Sequence, residues 1–160
     1  MVIKNKDSMK KNVILMLNRV FPVKHKKAGK PTMFANLLYA SHKIHTVRVD
    51  ASGLWARRVE EVNSGKKLLS VREWTERPYR SEQRELKMFS HIGLQHITMT
   101  YSSDDALPQC WIDNKRVPVE DVASNDGLSV EDFVDYFFGK CGCKSNVFEG
   151  VVIHFTDFRY

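Results

Sequence analysis

"KIHTVRVD", residues 43–50, is the stretch on which the reading of this chain turns. Ile44, Val47 and Val49 are strand formers, so the segment reads as a β-strand. Lys43, His45, Thr46, Arg48 and Asp50 nevertheless crowd into it. Side chains alternate faces along a strand. Val47 and Val49 then point one way, Thr46, Arg48 and Asp50 the other, and Lys43 sits in the turn before. One reading is a polar row on a solvent-facing edge strand. The other is a polar face lining a cleft, with Lys43, Thr46 and Arg48 directed at a ligand.

Outward from this strand, the signals are mixed. "NVILMLNRVFPV" reads as a strand ended by Pro22 and a lysine-rich loop. "TMFANLLYASHK" reads as a short helix, with Phe34, Leu37 and Leu38 at helical spacing. "SGLWARRVEEVNSG" is a second helix, with Trp55, Val59 and Val62 on one face and Gly65 past its end. "KLLSVREWT" is a strand and "ERPY" a turn. "ELKMFSHIGLQHITMTY" is a long strand that Gly93 bulges or breaks. "CWIDNKRVPV" is a hairpin turning at Asp113 to Lys115. "LSVEDFVDYFFGK" carries the clearest helix, capped by Ser129 and ended by Gly139. "VFEGVVIHFTDFRY" is a strand. The order predicts one α+β domain over residues 13–160 behind a flexible basic segment, 1–12. A small closed barrel with helices over its openings fits this order better than a doubly wound sheet.

The chain has 160 residues, 42% hydrophobic and 28% charged, with a net charge of +6. No apolar run is long enough to span a membrane, and the first residues lack the features of a secretory signal. The three cysteines make no disulfide framework. These features predict a protein of the reducing cytosol. The positive charge favours an anionic partner, nucleic acid first. Lys24, Lys26, Lys27 and Lys30 gather in one glycine-containing loop with His25, a basic rim for a cleft. In "REWTERPYRS", Trp74 and Tyr79 interleave with Arg72, Arg77 and Arg80, a pattern suited to base stacking with phosphate contact. The plainer reading puts Trp74 in the core. Cys141 and Cys143 do not have zinc-finger spacing, so no metal is expected. No phosphate-binding glycine motif is present, and no cofactor is implied.

"KIHTVR" resembles the Lys-x-x-Thr-Ile-Arg signature of the ASCH domain, a branch of the PUA-like β-barrels. "FPVKHKKAGKPTMF", "LSVREWTERPYRS", "NDGLSVEDF" and "VIHFTDFRY" follow in the order seen in small ASCH-like proteins of bacteria and phages. The resemblance covers most of residues 20–160. It implies a PUA-like barrel that binds RNA or a modified nucleoside in a cleft, with DNA as the alternative. Some small ASCH proteins deacylate N4-acetylcytidine, and others are described as ribonucleases. In the deacylases a lysine and a threonine three residues on work with a glutamate just before the late helix. Lys43 and Thr46 match the first two. The third position departs from the pattern, since Asn125 and Asp126 precede Leu128, and Asp126 is the nearest acid. Lys43, Thr46 and Asp126 are thus the candidate catalytic residues. His25, Lys27, Lys30, Lys43, Arg48, Arg72, Tyr79 and Arg80 are the candidate nucleic-acid contacts. A protein-interaction module without a nucleic-acid role is the third class.

Overall fold

A computed structural model describes residues 11–160. Of the basic segment expected over residues 1–12, residues 1–10 lie outside the described residues. The fold is α+β. In chain order it runs β1 (Val13–Leu17), α1 (Phe34–Tyr39), β2 (His45–Arg48), α2 (Leu54–Asn63), β3 (Leu69–Trp74) and β4 (Gln83–Phe89). Then come β5 (Gly93–Thr100), β6 (Gln109–Ile112), β7 (Lys115–Val117), α3 (Val119–Asn125), α4 (Val130–Phe138) and β8 (Val147–His154).

The strands form two sheets, β1-β3-β4 and β2-β8-β5-β6-β7. Among the described residues no ladder joins them, so hydrogen bonds do not close the ring that the sequence predicts. β1 and β2 are edge strands of their respective sheets. A side chain links them instead, because the Arg48 guanidinium on β2 donates to the Met16 carbonyl on β1. One hydrophobic cluster draws on both sheets and all four helices, including Leu15, Phe34, Val47, Val62, Ile97 and Phe133.

Local sequence explains the elements. Asp113 and Asn114 both take positive φ (48° and 65°), giving the two-residue hairpin between β6 and β7. The Ser129 hydroxyl accepts from the Asp132 amide and caps α4. "ELKMFSHIGLQHITMTY" is broken rather than bulged, with β5 beginning at Gly93. Its first half pairs with β3 and its second with β8 and β6, so the chain changes sheet between Phe89 and Gly93. The Arg159 guanidinium fills the space a side chain at position 93 would need. The ladder irregularity lies elsewhere, at Val71/Arg72 against β4.

Candidate functional site

Two helix ends build the centre of the site. After α1, Ser41 enters the left-handed region (φ 59°), and the His42 amide reaches back to the Leu37 carbonyl at 2.8 Å. After α3, Gly127 does the same (φ 82°), with the Leu128 amide on the Ala123 carbonyl at 3.0 Å. Both are Schellman endings. The first turns Lys43 inward and the second presents Asp126. The Ile44 amide ties the two together through the Asn125 carbonyl at 2.9 Å.

Lys43 therefore does not approach from the edge of a cleft. It is among the most deeply buried side chains of the fold, 2% exposed. Its Nζ donates to Asp126 Oδ1 at 2.9 Å and to the Asp126 carbonyl at 2.7 Å, and lies 4.3 Å from the Phe34 ring centre. A cation on the last carbonyls of α3 also meets the negative end of the helix dipole. Burial depresses the Lys43 pKa more than the Asp126 carboxylate restores it, leaving it below the usual lysine value. For Asp126, burial pushes upward, but Lys43 and His45 together hold the carboxyl below its usual value.

Lys43, Thr46, Arg48 and Asp126 line one cavity of about 80 Å³, with Asn18, Phe34 and Tyr136 among the other walls. At ~30 Å³ per water, that is room for roughly two or three waters or a small acyl group. Thr46 Oγ1 has no hydrogen-bond partner among the described residues. Arg48 is half-buried, its Nε buried and unpartnered among the described residues, and desolvation of the guanidinium lowers its pKa. The cleft-lining reading of Thr46 and Arg48 thus matches their placement. Val47 also lines the cavity, while Val49 lies beyond the end of β2 and is exposed.

The other sequence candidates lie apart from this cavity. His25 is not available to a ligand. Its ring stacks on Phe21 with centroids 4.4 Å apart, Nδ1 accepts from the Lys27 amide at 3.0 Å, and Nε2 meets the Asp132 carbonyl at 3.0 Å. It clamps the lysine loop to α4, because an aromatic with two polar ends fits a buried loop-helix junction. Lys27 pairs with Asp132 at 2.7 Å. Lys30 is exposed and lines an open groove with Lys27, Phe21, Met33 and Ser129. Arg72 is held by Ser70 and Gln83 at 2.8 and 3.1 Å. Tyr79 is exposed with φ 61°, and its ring lies 5.2 Å from that of a half-buried Trp74. Arg80 is exposed beside it.

Sequence reasoning missed His45, Asn125 as a side chain, and Tyr160. His45 Nε2 lies 2.7 Å from the Tyr160 hydroxyl, which accepts from Asn125 Nδ2 at 3.0 Å. Its Nδ1 lies 3.7 Å from Asp126 Oδ1. The β2–β8 register places His45 opposite His154, with rings 5.5 Å apart. Two histidines on the apolar face of paired strands were the available signal. Among the described residues no three His, Cys, Asp or Glu side chains are arranged to hold a metal ion. No helix among them is long and apolar enough to cross a membrane. No family model, curated protein or solved structure matches the chain.

Proposed function

We propose that the chain is an amidohydrolase that removes a small acyl group from an exocyclic nucleobase nitrogen, with N4-acetylcytidine as the type substrate, on a PUA-like barrel of ASCH type. The observation that carries this reading is the convergence on one cavity of Lys43 and Thr46, from one turn and strand, with Asp126, which lies 83 residues beyond Lys43 along the chain. In the barrel reading, β1 and β2 flank the gap that Arg48 spans.

The chemistry follows from the contacts. A neutral lysine amine has two N–H donors and one lone pair. In the resting ion pair Nζ carries a third proton; once that is lost, Asp126 takes the two remaining donors through Oδ1 and its carbonyl, which leaves the lone pair to act as base. Burial favours that neutral form. Lys43 takes the Thr46 proton as Oγ1 adds to the acyl carbon. Arg48 stabilises the oxyanion. Lys43 returns the proton to the departing nitrogen, and water then cleaves the acyl ester and restores Thr46. Asp126 holds the ammonium formed in between. The acyl end fits the cavity, and the base stays at its mouth.

Incubation with N4-acetylcytidine should release cytidine and acetate. Thr46→Ala should abolish turnover and leave binding largely intact, because its hydroxyl acts in the chemical step. No cytidine from the unaltered protein would defeat the reading. A second reading, binding of RNA or DNA without turnover, is favoured by the exposed Tyr79 ring beside Arg77 and Arg80. It requires affinity that falls steeply with salt and weakens in Tyr79→Ala.

A further inference from the structure

We propose that His45 is a positioning residue, locked in its Nδ1–H tautomer by an Asn125–Tyr160 relay so that it holds the Asp126 carboxylate on Lys43. The proposal rests on the hydrolytic reading for its catalytic consequence, and on geometry for everything else.

The direction of each hydrogen bond fixes the tautomer. Asn125 Nδ2 can only donate, so the Tyr160 oxygen accepts from it at 3.0 Å. The Tyr160 hydroxyl proton is then free for His45 Nε2, 2.7 Å away. Nε2 accepts, and the proton of the neutral imidazole resides on Nδ1. Nδ1 is buried, has no hydrogen-bond partner among the described residues, and faces Asp126 Oδ1 at 3.7 Å. Oδ1 already takes a proton from Lys43 Nζ. The Lys43 hydrogen bond and the more distant Nδ1–H dipole thus address one carboxylate oxygen, and Oδ2 carries no hydrogen bond among the described residues. Tyr160 is itself held at its backbone, where its amide donates to Gln95 Oε1 at 3.1 Å. The same oxygen meets His154 Nε2 at 2.9 Å. The relay is therefore fixed at both ends. A second ionisable neighbour, His154, packs edge-on against His45, and Arg48 and Tyr136 lie on the Asp126 side.

The alternative tautomer would aim a lone pair at a carboxylate and leave the Tyr160 hydroxyl proton without His45 as its acceptor. Loss of the relay would turn the Nδ1–H dipole, 3.7 Å from Oδ1, away from the Asp126 carboxylate, raise its pKa, and loosen its hold on Lys43.

Nitrogen-15 NMR of His45 in the intact protein reads the tautomer, and the carbon-13 shift of the Asp126 carboxyl reads its titration. The Nδ1–H form should dominate at neutral pH. Tyr160→Phe should raise the Asp126 pKa by about one unit. His45→Gln, whose amide reaches the Nε2 position, should do the same. His45→Asn, whose amide nitrogen reproduces Nδ1, should leave Asp126 unchanged. With N4-acetylcytidine, Tyr160→Phe and His45→Gln should lower kcat at similar KM and move the acid limb of the profile upward, with His45→Asn restoring both. An Nε2–H or doubly protonated His45, or an Asp126 titration indifferent to all three changes, overturns the proposal. If the NMR results are as stated and no cytidine forms, the hydrolytic reading falls and the relay stands.

Discussion

At the scale of a residue, Lys43 dominates. A lysine this deeply buried is costly unless a partner and hydrogen bonds offset the loss of water. Asp126 supplies both through its carboxylate and its carbonyl. Lys43→Met should therefore destabilise the fold by about 3–5 kcal/mol, most of it from the carboxylate left behind. Lys43→Met together with Asp126→Asn removes both charges and should recover most of that loss, because the amide still offers His45 an acceptor. Urea unfolding of the two singles and the double measures the coupling. Equal losses in single and double would mean that the ion pair is not the source. The sequence pointed to Lys43, Thr46 and Asp126 through motif resemblance, but it could not show that Lys43 is buried. Lysine is ordinarily a surface residue, and only the two helix endings, brought together in three dimensions, turn it inward.

At the scale of elements, those endings are the device that builds the site, and they differ in one respect. Gly127 suits its left-handed backbone, whereas Ser41 carries a side chain there. Ser41→Gly should stabilise the fold by about 0.5–1 kcal/mol by relieving that strain. Gly127→Ala should cost about 1–2 kcal/mol, since alanine is strained at this φ. The added methyl would also stand 3.2 Å from Lys43 Cβ and Leu37 Cδ1. Thermal unfolding distinguishes the two signs, and a stabilised Gly127→Ala would refute this account of the turn. Helices α1, α2 and α4 and the Asp113–Asn114 hairpin were legible, because caps, glycines and turn residues act locally, whereas α3 was not, its short segment lacking a side-chain cap. The division of "ELKMFSHIGLQHITMTY" between two sheets was not, because partner choice depends on strands far away in the chain. His45 was invisible for the same reason. Its meaning depends on Tyr160 and Asn125, 115 and 35 residues from their partners in the relay.

At the scale of the whole molecule, one core carries two histidines that the fold keeps neutral. Burial, with His45 and Arg159 adding to it, pushes His154 down to about 3 from an ordinary 6.5. Burial depresses His45 in the same direction, against the pull of Asp126. The sign follows from proton counting. Above the unfolded value both states are neutral, and the full stability is present. As pH falls below about 6.5, the unfolded chain takes up protons that the folded chain refuses, so stability is lost progressively toward the folded values. Each histidine contributes at most about 1.4 kcal/mol per pH unit in this window. Asp126, held below its usual value, adds a further loss only at lower pH. The urea midpoint should therefore decline between about pH 7 and pH 5, well above the range in which carboxylates titrate. His154→Gln can keep the contact to Gln95 without a titrating ring, and should flatten part of that decline. A midpoint that stays level across the window in the unaltered protein would show that these histidines are free to charge in the folded state.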